Sequence, residues 1–368
     1  MPQLEIPFLF MRGGTSRGAY FQRKDLPEDR NLLENTLLAA MGAGHPLNID
    51  GIGGSSEVTT KVAILSPSSD TSTDVDYLFA QVDGARGIVD FGPTCGNILA
   101  GVGPAAIEMG LVEAQNYITH VKIRAVNTGA HITAKVKTPE KCVEYEGSTH
   151  IDGVPGTAAG IVLEFRGVVG SSTGKILPTG EPRTLIDGLE VSCVDVAMPL
   201  VLVRASDINI SGYESTEELA ANKELLTKLE GIHLKAGQLM GLGDTGRKVI
   251  PKFAALAKAR NGGDITARYF TPWAPHPSMA LTGAQCIATS MLYKGTIAED
   301  FYTPTLSQSD DQPTVIQIEH PSGHIDVVIH CKNDGGKFQF ISASLIRTAR
   351  LLARGSICIP SNAWHNPT

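Results

Sequence analysis

The sequence predicts a strand-rich α+β fold made of two similar domains. Short segments of alternating polarity, separated by Gly, Pro, Asn and Asp turns, recur along the chain and are typical of strands. Two apolar segments, 98–111 and 280–292, each follow a turn of small residues, and their length favours buried helices. With 368 residues, 42% of them hydrophobic, the chain can form two cores. We therefore expect one architecture used twice.

The individual elements follow from local patterns. Alternating polarity is clearest in four predicted strands, at 120–126, 131–136, 160–165 and 314–318. Apolar residues at helical spacing predict five helices, at 30–41, 98–111, 215–240, 280–292 and 344–352. A polar, turn-rich segment at 180–187 marks the predicted domain boundary. We expect an N-terminal domain at 1–184 and a C-terminal domain at 185–368, with the last element as a candidate to return to the first domain.

The composition favours a small-molecule partner. The net charge is −7 and the basic residues form no long cluster, which argues against nucleic acids and acidic membranes. No stretch of about 20 apolar residues occurs, and the first residues lack the basic and apolar regions of a signal peptide. The six cysteines stand far apart without a Cys-x-x-Cys pair, so neither disulfides nor a zinc site are predicted. We expect a cytoplasmic protein.

No metal and no cofactor are predicted. His320 and His324 flank Pro-Ser-Gly, a sequence typical of a turn between two strands. The glycines at 51–53 lack the third glycine of a dinucleotide fingerprint, and those at 101–103 lie inside a predicted helix. The segment 170–175 is not a phosphate-binding loop, because isoleucine instead of serine or threonine follows its lysine.

Cys95 is the first candidate for chemistry. It stands directly before the apolar segment 98–111, in the sequence Cys-Gly-Asn. The positive end of a helix dipole favours the thiolate, so a thiol at a helix N-terminus can act as a base or bind anions. The alternative is a buried structural cysteine, since free cysteine usually behaves as a small apolar residue.

Two glycine-rich segments add further candidates. The first, 11–18, carries two arginines and two hydroxyls and is suited to hold a carboxylate, although a strand-ending turn with solvated arginines has the same composition. The second, 50–56, leads to Lys61 at the start of an apolar strand. Burial disfavours a charged lysine, which would make Lys61 a usable base. The alternative is a lysine whose stem is buried and whose amine reaches water.

Together these segments resemble the PrpF family of cofactor-independent isomerases. The resemblance covers nearly the whole chain and depends on these ordered motifs: MRGGTSRG at 11–18, DGIGG at 50–54, TKVA at 60–63, DVDYLF at 74–79, CGNILAGVG at 95–103, IDGVPGT at 151–157, GLGD at 241–244, EHPSG at 319–323 and RTAR at 347–350. It implies the diaminopimelate-epimerase fold, in which two similar domains each wrap strands around a central helix. It also implies no cofactor.

The resemblance implies roles for particular residues. Lys61 and Cys95 are the implied catalytic residues, and Lys61 is the preferred base. Residues implied in substrate binding are Ser16, Arg17, Gly18, Thr60, Gly96, Asn97, Ser278, Thr282 and Gly283. The amides of Gly96 and Asn97, at the N-terminus of a helix, can bind a carboxylate without any side chain.

Two departures refine the expected reaction. Epimerases of this fold carry a second cysteine before the second central helix, where this sequence has Ala280. A racemase needs two bases, whereas an allylic shift can use one. Thr173 stands where the oxalomesaconate enzymes tend to carry cysteine, which favours aconitate-like substrates.

We therefore expect an isomerase of a cis/trans-aconitate or 2-methylaconitate type of acid, acting by a 1,3-allylic proton shift or C=C isomerisation. The alternatives are a 4-oxalomesaconate tautomerase, a more distant racemase, or a non-catalytic carboxylate-binding paralogue. A homodimer is a further expectation from the family. We expect no nucleic-acid partner and no membrane partner.

Overall fold

A computed structural model describes residues 3–92, 95–246, 248–271, 274–303, 313–334 and 337–364. The chain divides into two compact units, one comprising Met1–Glu164 with Ile346–Thr368 and the other comprising Phe165–Leu345. Strands make up most of the regular structure in both units, and each unit surrounds one apolar helix with strands. The predicted α+β class is confirmed.

The first unit is built around a buried helix. Its elements are β1 (Leu4–Gly13), β2 (Ser16–Gln22), α1 (Arg30–Met41), β3 (Lys61–Pro67), β4 (Val75–Asp83), β5 (Ile88–Asp90), α2 (Gly96–Glu108), β6 (Tyr117–Ala125), β7 (Ala130–Thr138) and β8 (Gly160–Arg166). Strands β1, β2, β3, β4, β6 and β7 pair in that order, alternately antiparallel and parallel. Every residue of α2 from 98 to 106 is buried, as expected of a helix that is apolar on all sides.

Helix α1 covers the other face of the same strands. Its buried residues Leu33, Leu37 and Met41 form one apolar cluster with residues of β2, β3 and β4. Because side chains alternate along a strand, the neighbouring positions of these strands face α2. The strands therefore separate an apolar layer under α1 from the layer that contains α2.

The second unit repeats this arrangement. Its elements are β9 (Thr184–Ile186), β10 (Leu189–Asp195), β11 (Pro199–Arg204), α3 (Thr216–Ala221), α4 (Lys223–Leu239), β12 (Lys252–Lys258), β13 (Ile265–Thr271), β14 (Ala274–Pro275), α5 (Leu281–Leu292), β15 (Thr314–His320), β16 (Gly323–Asp334) and the first part of β17 (Lys337–Ile359). Strands β10, β11, β12, β13, β15 and β16 pair in that order, again alternately antiparallel and parallel. Helix α5 is buried from 283 to 291, and α4 packs on the other face.

The repetition extends to single residues. Lys61 begins β3 and Lys252 begins β12, and each of these strands has one parallel and one antiparallel neighbour. The amine of Lys61 lies 5.4 Å from the ring centre of Phe79, and that of Lys252 lies 5.6 Å from the ring centre of Tyr269. Burial lowers the pKa of Lys252. The two units therefore share a strand register as well as an element order.

Most predicted helices are found with shifted ends. The prediction at 30–41 matches α1, and the prediction at 98–111 corresponds to α2, which begins two residues earlier. The predicted helix 215–240 is divided at Asn222, because that side chain accepts a hydrogen bond from the Leu225 amide and begins a new helix, α4. Among the described residues, no helix combines the length and the apolar character needed to cross a membrane.

The prediction of a helix at 344–352 is wrong, because this segment is part of strand β17. It pairs with β1, where Arg12 lies opposite Arg350 and Gly13 lies opposite Ala349. The partner strand is more than 300 residues away in the sequence, so local spacing gave no sign of it. Long-range pairing overrides local helix propensity here.

The division between the units falls after Glu164, 20 residues before the predicted boundary after residue 184. The residues that follow Phe165 already contact β10 and the residue after it. Val169 forms a bridge with Val196, and the Asp195 carboxylate accepts hydrogen bonds from the Ser171 hydroxyl at 2.7 Å and the Thr173 amide at 2.8 Å. Polar side chains made the segment 180–187 resemble a linker, whereas residues 169–173 before it are already held in the second unit by the buried Asp195 carboxylate.

Candidate active site

Lys61 lies on the side of β3 that faces α2. Val62 and Ile64 belong to the apolar cluster under α1, so alternation places Lys61 and Ala63 on the opposite side. Ala63 pairs with Tyr20, whose hydroxyl donates a 2.6 Å hydrogen bond to the Ile98 carbonyl of α2. Lys61 therefore lies on the same side of these strands as α2.

The amine of Lys61 is half-buried and held by a neutral group. It donates a 2.6 Å hydrogen bond to Oε1 of Gln81, the residue directly opposite on β4. Nε2 of Gln81 in turn donates to the Thr60 hydroxyl at 3.1 Å. Thr60, which is buried, thereby helps to orient the group that contacts Lys61.

Gly18 permits the close approach of β2 to Lys61. The two residues are neighbours in the parallel pairing of β2 and β3. A Cβ atom at Gly18 would overlap the backbone carbonyl of Lys61. Glycine is therefore required here by backbone contact, and Gly18 shapes the site without offering a side chain.

Cys95 is the N-cap residue of α2 and is partly exposed. No described side chain caps the helix, so the first backbone amides, among them those of Gly96 and Asn97, point beyond the helix end. The hydroxyl of Tyr77 donates a 3.4 Å hydrogen bond to the Cys95 carbonyl. A partly exposed thiol beside free helix amides is an arrangement that favours anions.

Two buried tyrosines border the Cys95 thiol. Burial, with the neighbouring Cys95 as a further cause, raises the pKa of Tyr20 and of Tyr77 well above the usual range of a phenol. Both phenols therefore stay protonated, and each gives its hydrogen to a backbone carbonyl near the start of α2. They fix the helix end and add no negative charge to it.

The loop between β1 and β2 meets the same helix end. Gly13 and Gly14 lie so close to Asn97 that a Cβ atom on either would overlap it. Nδ2 of Asn97 donates to the Thr15 hydroxyl at 2.9 Å. Ser16 is 3% exposed, and its hydroxyl has no hydrogen-bond partner among the described residues. The loop thus brings a buried, available hydroxyl to the α2 side.

Arg12 holds this loop in place. Its Nη1 donates to the Gly14 carbonyl at 3.0 Å and to the carbonyl and hydroxyl of Thr348 at 3.1 and 3.0 Å. The Gly14 amide also donates to the Thr348 carbonyl at 2.9 Å. Arg12 therefore uses its hydrogen bonds to join the loop to β17, and it stabilises the position of Ser16.

Arg17 is exposed and occupies the other face of β2. Alternation groups it with Ala19 and Phe21, which belong to the cluster under α1, whereas Ser16 and Gly18 face α2. Its guanidinium lies 5.6 Å from the ring centre of Phe10. The structure therefore places Arg17 apart from the side chain of Lys61, and its role in binding a carboxylate stays a prediction.

The remaining predicted residues lie in the second unit, near the start of α5. The Ser278 hydroxyl accepts a 2.6 Å hydrogen bond from the Met279 amide, and the Thr282 hydroxyl lies 3.9 Å from the Met198 sulfur. A Cβ atom at Gly283 would overlap the Tyr269 ring. Their role in binding substrate stays a prediction.

The N-cap residue of α5 is Ala280, where α2 has Cys95. The cysteine inside α5, Cys286, does not replace it, because it is buried and its sulfur donates to the Val194 carbonyl at 3.6 Å. Burial raises the pKa of the Cys286 thiol, so this side chain is inert. The correspondence inferred for Ala280 is thus found in the structure, and only one of the two helices begins at a thiol.

Several residues of the site were not predicted from the sequence. Gln81 is one of them, although a glutamine in the middle of an apolar strand is a signal that could have identified it. Arg12, Tyr20 and Tyr77 were not predicted as separate residues, because their contacts with β17 and α2 join distant parts of the chain. The predicted residues that the structure brings together in the first unit are Ser16, Gly18, Thr60, Lys61, Cys95, Gly96 and Asn97.

Comparisons with known proteins give a consistent result. The family model described as PrpF protein matches residues 3–360. The chain is 45% identical to 4-oxalomesaconate tautomerase of Pseudomonas putida over 367 residues, covering 100% of this chain and 99% of that protein. A crystal structure of methylitaconate-delta-isomerase is 32% identical, with a TM-score of 0.88, and covers 100% of this chain and 98% of its own.

A more distant structure defines the fold alone. The crystal structure of a hydroxyproline epimerase from Agrobacterium vitis matches with a TM-score of 0.53 and 11% identity, covering 98% of this chain and 97% of its own. The predicted epimerase-like fold is therefore confirmed. The first unit brings to this fold an amine, a thiol, free helix amides and a buried hydroxyl, which together can move a proton on an anionic molecule.

Proposed function

The chain belongs to the PrpF family and is an isomerase, and we propose that it isomerises an unsaturated tricarboxylic acid by a 1,3-proton shift without a cofactor. The observation that carries the proposal is that Lys61, the proposed base, and Cys95, the N-cap residue of α2, both lie on the α2 side of the first unit. Stereoinversion by two thiols is disfavoured because Ala280 occupies the corresponding position at α5.

In the proposed mechanism Lys61, as the free amine, removes a proton from a carbon next to a carboxylate. The C–H electron pair spreads through the adjacent C=C bond and the carboxyl group as a dienolate. The proton then returns to the far carbon, so the double bond moves and no atom is gained or lost. One base suffices when the proton leaves one carbon and returns to the other on the same face of the substrate.

Developing negative charge on the substrate needs hydrogen-bond donors. The backbone amides of Gly96 and Asn97 are available at the start of α2, where the helix dipole is positive. The buried hydroxyl of Ser16 is available in the same region. We assign these groups to the carboxylate whose charge increases in the transition state. Cys95 serves either as an acid/base partner or as a thiol that packs against the reacting carbons.

Two substrates within this class are favoured by different observations. The 45% identity to a 4-oxalomesaconate tautomerase favours 4-oxalomesaconate. The 32% identity and close structural match to a methylitaconate isomerase favour a proton shift between carbons, as in aconitate-type acids. Thr173 favours neither substrate, because the Thr173 hydroxyl donates to the Asp195 carboxylate at 2.9 Å. We place 4-oxalomesaconate first and aconitate-type acids second.

Proton NMR in heavy water tests the proposal. The purified protein is incubated separately with 4-oxalomesaconate, cis-aconitate, trans-aconitate and 2-methylaconitate. We expect one acid to isomerise or to gain deuterium. Lys61→Ala should lower turnover by about 100-fold or more, which is the usual contribution of a general base, with little change in substrate affinity. Lys137→Ala, on β7, serves as the matched lysine control.

Either of two outcomes would contradict the proposal. The first is the absence of isomerisation and exchange with all four acids, which would leave a carboxylate-binding protein or a different substrate. The second is a fully active Lys61→Ala variant, which would remove Lys61 as the base and direct attention to Cys95.

A further inference from the structure

We propose that Gln81 is the positioning residue of Lys61. It holds the amine through a neutral acceptor and so directs the nitrogen lone pair towards the substrate. This inference rests on the proposed function, in which Lys61 is the base. Gln81 is on β4, directly opposite Lys61, and their side chains meet at 2.6 Å.

The surroundings of Gln81 determine which way its amide points. Its Nε2 donates to the Glu57 carbonyl at 3.1 Å and to the Thr60 hydroxyl at 3.1 Å, and the Thr60 carbonyl lies 3.4 Å away. Carbonyl oxygens only accept hydrogen bonds, so the NH₂ group must face them. The oxygen Oε1 must then face Lys61, and the flipped orientation would put oxygen against oxygen.

The support behind Gln81 is itself hydrogen-bonded. The Val82 amide donates to the Thr60 carbonyl at 3.0 Å and continues the pairing of β4 beyond the start of β3. The short 3-10 turn Glu57–Thr59 is closed by the Thr59 hydroxyl, which donates to the Ser56 carbonyl at 2.7 Å. These hydrogen bonds keep the backbone around Glu57 and Thr60 in place, and with it the orientation of the Gln81 amide that accepts from Lys61.

A neutral acceptor suits a lysine that must lose its proton. A free amine has two N–H bonds and one lone pair, so donating one N–H to Gln81 restricts where the lone pair can point. A carboxylate at the same distance would also orient the amine, but it would stabilise the ammonium form and raise the pH needed for deprotonation. Glutamine supplies the orientation without the charge.

Nearby titratable groups do not take over this role. Arg17 on β2 faces α1, Asp83 on β4 pairs with Arg86 at 3.7 Å, and Glu57 contacts Gln81 through its backbone carbonyl. The phenols that border Cys95 donate to carbonyls of α2 and its cap. Within the part of the chain that the structure describes, the amine of Lys61 forms its hydrogen bond with Gln81 and no ion pair.

The first test measures Lys61 directly and needs no substrate. Trace labelling with acetic anhydride, followed by mass spectrometry of the Lys61 peptide, gives the pH midpoint of amine reactivity between about pH 6 and about pH 11. We expect Gln81→Glu to raise the midpoint by at least about one pH unit, because it places a carboxylate beside the amine. Gln22→Glu, at the far end of β2, is the matched control and should leave the midpoint unchanged.

The second test separates positioning from binding. Gln81→Met keeps the approximate volume but removes the acceptor, and we expect kcat to fall by about 10- to 100-fold with KM changed by less than about twofold. Gln81→Glu should regain activity as the pH rises, whereas Gln81→Met should not. Melting temperatures of both variants and of Gln22→Glu show whether the fold is retained.

The outcomes distinguish this inference from the proposed function. An unchanged labelling midpoint in Gln81→Glu, or wild-type kcat in a folded Gln81→Met, would overturn the positioning role. If the wild-type protein turned over none of the four acids, the proposed function would fail, while the labelling experiment would still decide whether Gln81 controls the amine of Lys61.

Discussion

Ser16 carries a buried hydroxyl that has no hydrogen-bond partner among the described residues. An unpaired buried hydroxyl costs about 1–3 kcal/mol, so the folded protein is less stable with it than with an apolar side chain of similar size. A substrate carboxylate that accepted this hydrogen would offset the cost in the complex. We therefore interpret Ser16 as a residue that costs stability and contributes to binding.

This interpretation predicts opposite effects of one substitution. Ser16→Ala should leave the free energy of unfolding unchanged or raise it by up to about 1 kcal/mol, because no partner is lost. It should raise KM by about tenfold, since a hydrogen bond to a carboxylate is worth about 1.5–3 kcal/mol. Urea unfolding and steady-state kinetics measure the two quantities.

A matched serine provides the control. The hydroxyl of Ser290, in α5, donates to the Cys286 carbonyl at 2.7 Å. Ser290→Ala should cost stability and leave KM unchanged. A clear loss of stability in Ser16→Ala, or an unchanged KM, would show that the Ser16 hydroxyl has a structural partner instead of a substrate.

At the level of single elements, α2 depends on small residues for its close contact with β2. A Cβ atom at Gly101 would overlap the hydroxyl of Tyr20, which bonds the Ile98 carbonyl. The helix can approach the strand only because position 101 has no side chain. This contact sets the position of the N-terminal turn of α2, where Cys95 and the free amides lie.

Gly101→Ala should therefore destabilise the protein by about 2–3 kcal/mol, because the methyl group overpacks the interface and displaces the Tyr20 hydrogen bond. Gly231→Ala is the matched control, since it is also inside a helix but a Cβ atom there has open space. It should stabilise the protein by about 0.5–1 kcal/mol through helix propensity. Urea unfolding measures the change in unfolding free energy for both variants. Equal changes would contradict the close contact between Gly101 and Tyr20.

At the level of the whole molecule, several carboxylates are stabilised in their charged form. Glu319, on β15, is buried: its oxygens accept hydrogen bonds from the amides of Arg260 at 2.9 Å and Gly263 at 3.0 Å and from the hydroxyl of Thr266 at 2.7 Å. Burial raises the pKa of this carboxyl, but the hydrogen bonds outweigh burial and the net pKa is lowered. The pKa values of Asp76, Glu214 and Asp300 are lowered as well.

The direction of these shifts predicts acid sensitivity. A carboxyl whose pKa is lower in the folded protein contributes stability above its unfolded pKa of about 4.3, and that contribution is lost as the pH falls through the folded pKa. We expect Glu319→Gln to cost about 2 kcal/mol at neutral pH and progressively less below about pH 4. Glu230→Gln, an exposed control in α4, should cost little at any pH. A difference in unfolding free energy between Glu319→Gln and the wild-type protein that stayed constant with pH would contradict this prediction.

The doubled architecture is where sequence and structure agree most closely. Two apolar helices in successive halves predicted two similar units, and α2 and α5 are those helices. Their buried lengths follow from local composition, which is why the prediction needed no long-range information. The equivalence of Lys61 and Lys252, by contrast, depends on strand register, which became visible only when the parallel and antiparallel neighbours were known.

The α+β class, the central helices and the candidates Lys61 and Cys95 could be predicted without the structure, because apolar periodicity and helix-start residues are local properties. The strand at 344–352 could not, since its pairing with β1 spans almost the whole chain. The same is true of the orientation of Arg17 away from Lys61 and of the contact between Gln81 and the amine. These facts depend on which strands become neighbours and on which side each residue falls, and non-local pairing fixes both.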